Sequence, residues 1–271
     1  MTVLIQENSD LLSLINDQEQ DDHFASLRYA GMIQHVLMPE PEVIKGYIKD
    51  FFVLFLPRDI VSGDFYYTFC NKEIICMAAG DCTGHGVPGA LMSILGISFL
   101  NEILQSGIHV KANRILNLMR EKVMKALHQT GSGAGTKDSI DIGLCIVDCK
   151  SGKLQYSGAN RPLIRVRKGE LSEFKPDKMT IGVAPLKETP FTNSYIETMP
   201  GDTFYLFSDG YADQFGEKTD KKLKHKQFKK IIMSVEGLPL AIQKERFENA
   251  FLEWKGNTQQ IDDVLVFGFQ L

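Results

Sequence analysis

Four aspartates stand where short apolar runs begin or end. Asp64 follows Ser62-Gly63 and opens the run from Phe65 to Cys70, whereas Asp81 follows Gly80 and closes the run from Ile74 to Ala79. Asp209, in Ser208-Asp209-Gly210, follows Phe204 to Phe207, and Asp262, in Ile261-Asp262-Asp263, precedes Val264 to Phe269. One such Asp reads as a turn residue or a helix cap. Four at the ends of buried elements ask for more, because carboxylates that converge in a core must bind cations or take up protons. Oxygen-only donors favour Mg²⁺ or Mn²⁺ over zinc, and no His-x3-His pair or cysteine cluster argues otherwise. Two such ions about 3.5 to 4 Å apart activate a water and stabilise charge on a phosphoryl group. Phosphate-monoester hydrolysis is slow enough uncatalysed to need that help. The chain has no Asp-x-Asp-x-Thr nucleophile motif and no Cys-x5-Arg stretch, so water activated by metal is the favoured attacker.

The second aspartate sits in the stretch Gly80-Asp81-Cys82-Thr83-Gly84-His85-Gly86-Val87-Pro88-Gly89, where a strand hands over to a helix. Gly84-x-Gly86-x-x-Gly89 formally matches a dinucleotide fingerprint. That reading requires a second parallel strand ending in an acidic residue, and none follows; Asp81 would also place a carboxylate beside the phosphates. A cation ligand with glycines folding tightly around the ion fits better.

These aspartates must be positioned by the elements around them. Short β-branched or aromatic runs at Tyr47 to Leu56, Asp64 to Cys70 and Glu73 to Ala79 predict strands, the last two joined as a hairpin at Asn71-Lys72. A helix over 88–105 is apolar on nearly every side and so is expected to be covered on both faces, and an amphipathic helix follows over 111–129. Gly131 to Thr136 reads as a flexible link. Strands resume at Ile140 to Cys149, Leu154 to Tyr156, Leu163 to Arg167 and Thr203 to Phe207; helices follow over 222–235 and 238–254, then a strand from Val264 to Phe269. This grouping predicts an α+β fold of two mainly antiparallel sheets flanked by helices. Residues 1–21 are polar, with a sparse apolar set, whereas Leu27, Ala30, Ile33 and Leu37 recur at helical spacing before Pro39 and Pro41. The division expected is an N-terminal helical arm or linker, 1–41, and a domain, 42–271.

The net charge of −4 gives no support to a nucleic-acid or membrane-surface partner. No apolar run is read as approaching the ~20 residues of a membrane span, and a cytoplasmic protein is expected. Five cysteines form an odd set without a Cys-x-x-Cys pair and read as reduced thiols.

Four stretches occur together and in order: PRDIVSGDFY (57–66), GDCTGHGVPGALMS (80–93), FSDGYADQFGE (207–217) and IDDVLVFGF (261–269). The chain thereby resembles the PPM (PP2C-like) metal-dependent protein serine/threonine phosphatases, in the bacterial SpoIIE/RsbU-type branch. The resemblance implies an αββα sandwich, Mn²⁺ or Mg²⁺ as two ions per site with a weaker third, and phosphoserine or phosphothreonine on a protein substrate, often a STAS-domain anti-anti-sigma factor. It implies that Asp81 bridges both metals, that the Cys82 carbonyl adds a ligand, and that Asp209 and Asp262 complete the core of the site. Asp64 would hold the second metal, directly or through water, and Asp263 is the alternative to Asp262.

Less firmly placed are Asp138 and Asp141 at the third metal, Arg58 at phosphate or in an exposed salt bridge, and His85 as a proton donor or, preferably, a support of its turn. The segment Ala30 to Pro39 looks like the helix that joins sensor domains to such a domain, so an upstream sensor or regulator is expected. With the apolar helix over 88–105, this arm is expected to support a homodimer or a regulatory contact. Two departures stand out. Ser157-Gly158-Ala159-Asn160-Arg161-Pro162 replaces a common Ala-Gly-His-Asn before proline, and Asp213-Gln214 replaces Glu-Ala. The lysines between Lys218 and Lys230 read as a solvated helix face, with docking of an acidic partner as the minor alternative. Two rival functions are a regulatory binding module of weak or absent catalysis and a phosphatase for small phosphate esters.

Overall fold

The computed structural model describes residues 21–22, 24–107, 111–129, 136–183 and 189–271. The expectations for 1–20 and for the link at Gly131 to Gly135 lie outside these residues. Helix α1 covers 24–37 and is followed by a 3-10 turn, Pro41–Ile44. The strands are β1 (Asp50–Leu56), β2 (Asp64–Cys70), β3 (Ile74–Cys82), β4 (Ile140–Asp148), β5 (Leu154–Ala159), β6 (Leu163–Arg167), β7 (Glu170–Phe174), β8 (Ser194–Ile196), β9 (Thr203–Phe207) and β10 (Val264–Gln270). The further helices are α2 (Gly86–Gln105), α3 (Ala112–Ala126), α4 (Gly210–Asp213), α5 (Lys224–Ser234) and α6 (Leu240–Lys255).

Two five-stranded sheets result, ordered β2-β3-β4-β5-β8 and β1-β10-β9-β6-β7, with every ladder between these strands antiparallel. β3 and β4 are buried along nearly all their length, as their near-continuous apolar sequences require of strands covered on both faces. One core lies between the sheets and under α2 and α3, including Tyr67, Met77, Ile142, Met119 and Phe267. A second fills the space beneath α5 and α6 with Phe52, Tyr205, Tyr211, Phe228, Phe247 and Phe251. The αββα sandwich is the fold expected.

The differences from the sequence reading have local causes. β1 starts at Asp50 because the chain turns through Gly46, at φ +88°, after the 3-10 turn. β7, Glu-Leu-Ser-Glu-Phe, is a polar edge strand, and β8 has three residues, too few for a pattern. The hairpin link is Asn71 to Glu73, with the Asn71 side chain accepting from the N–H groups of Glu73 and Ile74 at 2.8 and 2.9 Å. Contrary to the expectation of no span-like run, α2 is long and apolar enough to cross a membrane by length and composition. Half of it is buried against β2, β3 and α3, so it is a core helix, although Val87 and Leu91 face outward rather than being covered. All five thiols are free.

Helix α1 is docked on the sandwich through one buried side chain. Gln34 Nε2 donates to the Ser62 carbonyl at 2.6 Å and to Ser93 Oγ at 2.8 Å, and Gln34 Oε1 accepts from the Ser62 N–H at 3.0 Å. Met38 enters the main core just beyond.

Candidate metal centre

Strand register builds the first half of the centre. Asp64 on β2 pairs with Asp81 on β3, and Asp81 pairs with Asp141 on β4. Directly paired residues point to the same face of a sheet, about 5 Å apart, so three carboxylates form a row across adjacent strands. The second sheet supplies the other half. Asp209 follows β9 and Asp262 precedes β10, and these strands are neighbours. Ser208 fastens the two loops: its N–H donates to the Leu265 carbonyl, and its Oγ accepts the Leu265 N–H, both at 3.0 Å.

Close backbone approach explains the glycines. A Cβ on Gly210 would stand 1.9 Å from the Asp263 carbonyl oxygen, so only Gly lets the Asp209 loop lie against the Asp262 loop. Gly63 and Gly89 both press on the Gly84 carbonyl, where a Cβ would come within 2.7 and 2.4 Å. The Gly84 to Gly89 turn thereby holds the start of β2 against the end of β3. Two residues after Asp209, Tyr211 donates its hydroxyl to the Phe247 carbonyl at 2.7 Å and packs on Phe228 and Phe251. Burying such a ring contributes about 1.5–3 kcal/mol, which anchors α4 and the Asp209 before it.

So many carboxylates raise one another's proton affinity. Burial, then the neighbouring Asp81, pushes Asp64 well above the usual carboxylate range. Asp81 is pushed up to about 8 by burial, partly offset by Arg161 and reinforced by Asp209 and Asp262. Burial also raises Asp262. The Cys82 thiol is buried and raised by that burial, so Cys82 offers its backbone rather than a thiolate. A bound divalent cation reverses this logic by stabilising every ionised carboxylate.

Three residues absent from the sequence-based site complete it. Arg161 Nη2 donates to Asp81 Oδ2 at 2.6 Å and to Asp209 Oδ2 at 2.7 Å, and lies 3.6 Å from Asp141 Oδ2. Burial works against its charge, but Asp81 and Asp209 outweigh it and hold the guanidinium firmly protonated. Asn160, at φ +57°, donates to Asp141 Oδ1 at 2.9 Å. The signal was an Arg at the end of a buried strand in a chain with unpaired buried acids. Gln214 is the third omission: fully buried, it donates to the Gln259 carbonyl at 3.0 Å and accepts the Ile261 N–H at 3.2 Å, shaping the approach to Asp262.

The structure therefore brings together Asp64, Asp81, Asp141, Asp209 and Asp262. Asp263 is turned to another duty, accepting the Arg58 N–H at 2.7 Å and the Gly63 N–H at 2.8 Å. Arg58 donates to the Ile261 carbonyl at 3.1 Å, which ties the rim of the site together. Asp138 engages through its carbonyl, which accepts from Gln129 at 2.7 Å. His85 is 56% exposed and 3.6 Å from Asp59, outside the carboxylate row.

The donors fit Mg²⁺ or Mn²⁺. All are oxygens, and Asp64 Oδ2 is buried without a hydrogen-bond partner. Among the described residues no group of three or more Asp, Glu, His or Cys side chains is arranged to hold a metal ion as it stands. The Arg161 guanidinium stands between Asp81 and Asp209 and donates to both.

An acidic centre at the edge of two antiparallel sheets, with helices on both outer faces, defines the PPM (PP2C-type) serine/threonine phosphatases. The SiaA-PP2C domain of Pseudomonas aeruginosa superposes with a TM-score of 0.82 at 28% identity, over 93% of this chain and 98% of that one. The PP2C phosphatase domain with a regulatory fragment of SpoIIE from Bacillus subtilis gives a TM-score of 0.64 at 18% identity, over 82% of this chain and 63% of that one. The RsbU and RsbW domains of a Mycobacterium tuberculosis protein give 0.63 at 20% identity, over 82% of this chain and 59% of that one. Residues 72–271 match the family described as Stage II sporulation protein E (SpoIIE), and the chain belongs to that family. No curated protein sequence matches it.

Proposed function

We propose that this SpoIIE-family phosphatase removes phosphate from phosphoserine or phosphothreonine on a signalling protein, using two Mn²⁺ or Mg²⁺ ions held by Asp64, Asp81, Asp209 and Asp262. The buried Asp64 oxygen without a hydrogen-bond partner, in register with Asp81, carries the reading, because among the described residues Ser208 is the one favourable neighbour of this carboxylate and it is uncharged. When bound, such ions lower the pKa of water and polarise the phosphoryl group. Asp81, central in the row, is the residue suited to face both ions, with the Cys82 backbone beside it. Asp141, with Asp138 nearby in sequence, is the candidate for a weaker third position. Arg161, which donates to Asp81 and Asp209 in the metal-free protein, would serve as a fork-shaped donor to phosphoryl oxygens if those carboxylates held cations.

The same reading takes 1–41 as an arm and 42–271 as the catalytic domain in the cytoplasm. Similarity to an RsbU domain that accompanies an RsbW domain supports a partner-controlled signalling role, with a STAS-domain protein as the first substrate to try. A second copy of the chain is proposed to join through the arm.

The test is manganese-dependent release of phosphate from a phosphopeptide, with Asp81→Asn and Asp209→Asn expected to abolish it. A folded wild type that binds partner proteins without turnover would instead make this a docking module. Turnover of metabolites without preference for phosphoprotein would make it a small-ester phosphatase.

A further inference from the structure

A cleft of about 510 Å³ opens beside the carboxylate centre, and its walls are basic although the chain carries a net charge of −4. Three lining residues connect it to the centre. Arg161 holds Asp81 and Asp209, Asn160 holds Asp141, and Phe207 lies two residues before Asp209. Beyond them stand Lys175, Lys178, His225 and Lys229, and the one carboxylate on the wall, Glu173, is already paired with Lys229.

Lys175 and Lys178 are presented by a fixed segment. The Asp177 N–H donates to the Gly158 carbonyl at 2.9 Å, and the Asn160 N–H donates to the Asp177 carbonyl at 2.9 Å. The Asp177 carboxylate is directed to Thr192, accepting its N–H at 2.7 Å and its hydroxyl. The backbone bearing both lysines is thus fixed at a cleft that ends at the reaction centre. A phosphoserine placed at the centre must lead its own chain away in some direction, and this cleft offers charge to one composition of chain only.

We infer that the cleft between the Lys175–Lys178 segment and α5 binds acidic residues flanking the phosphorylated serine or threonine of the substrate. The inference rests on the protein-phosphatase reading and refines it to acidic phosphopeptides. Lysines on a rim act mainly through long-range attraction, so the effect belongs in KM and weakens with salt.

The experiment compares three phosphopeptides with one shared phosphoserine and Asp/Glu, Ala or Lys flanks on both sides, together with p-nitrophenyl phosphate, on the full chain with Mn²⁺. The wild type is expected to favour the acidic peptide over the alanine peptide by about tenfold in kcat/KM, and raised salt is expected to shrink that ratio. Lys175→Glu combined with Lys178→Glu should erase the preference while leaving aryl phosphate turnover unchanged, since neither side chain touches the carboxylates. Lys229→Glu should reduce the preference by a smaller factor, because Glu173 already competes for that charge. Equal rates on acidic and alanine peptides, or a preference that survives in the double variant, would overturn the inference and leave the phosphatase assignment standing. Turnover of the aryl ester alone would remove the protein-phosphatase reading, and this inference with it.

Discussion

Asp262 and Asp263 are adjacent in sequence and opposite in duty. Asp262 faces like charges, so Asp262→Asn should abolish metal-dependent activity while leaving the metal-free melting temperature unchanged or higher. Asp263 satisfies two backbone N–H groups, so Asp263→Ala leaves buried donors unpaired and should cost about 1–3 kcal/mol, read by denaturant unfolding. Arg161 poses a second contrast. It compensates Asp81 and Asp209 in the metal-free protein, and in the proposed metal site it would compete with cations for the same oxygens. Arg161→Gln should therefore lower metal-free stability by on the order of 2 kcal/mol, softened because Asp81 can take up a proton. The same variant should bind Mn²⁺ more tightly by calorimetry, and unchanged affinity would refute the competition. The pH dependence follows from sign. Asp81 is raised from 3.8 to about 8, so the folded, metal-free protein holds a proton that the unfolded chain releases. That contribution is complete below about pH 4 and is lost as pH rises through 8. Asp202 runs the other way: despite burial, Arg167 holds it low, so its contribution fades only at pH values below the ordinary carboxylate range. Melting curves in chelator between pH 5 and 9 should thus show falling stability, and Mn²⁺ should reverse the fall because its binding expels those protons.

At the level of elements, the centre depends on loops being pressed together more tightly than a side chain permits. Gly210→Ala puts a methyl group against the Asp263 carbonyl, so the β9–α4 turn must separate from β10. A loss of about 1–3 kcal/mol is expected, with weaker Mn²⁺ binding measured alongside unfolding; unaltered stability and affinity would show that the turn yields easily. The same elements explain what could be read from the sequence. Asp64, Asp81, Asp209 and Asp262 were visible because each interrupts an apolar run at its end, and the alternation of grouped strands and helices foretold two sheets with helices outside. Their register was not visible, since nothing in the sequence pairs Asp81 with Asp141 across β3 and β4. Arg161 and Gln214 were missed for a related reason. Each looks like a departure from a familiar motif, and its role exists only through partners far away in the chain, Asp81 for one and Ile261 for the other. β7 and β8 were lost because a polar edge strand and a three-residue strand leave too little pattern to detect.

Across the whole molecule, among its described residues, α1 is fastened on one side and exposed on the other. Its inner side delivers Gln34 to Ser62, two residues from Asp64, and to Ser93 on α2, so the arm is in physical contact with the loop that begins the carboxylate row. Its outer side presents Tyr29, Met32 and Val36, which are 66, 65 and 80% exposed and recur near helical spacing. Large apolar side chains aligned in this way are suited to association, and the proposed occupant is a second copy of the chain, which offers the same stripe. Truncating the arm is a poor test, because it also strips Gln34 and Met38 from the core. Met32→Glu with Val36→Glu leaves those contacts in place and repels a partner. The wild type is expected to elute as a dimer by light scattering and the double variant as a monomer with an unchanged far-ultraviolet spectrum. If the wild type is monomeric at every concentration, the stripe does not join two copies. If the double variant is monomeric yet equally active, assembly does not govern the centre, and the Gln34 link to Ser62 serves only to hold the loop in place.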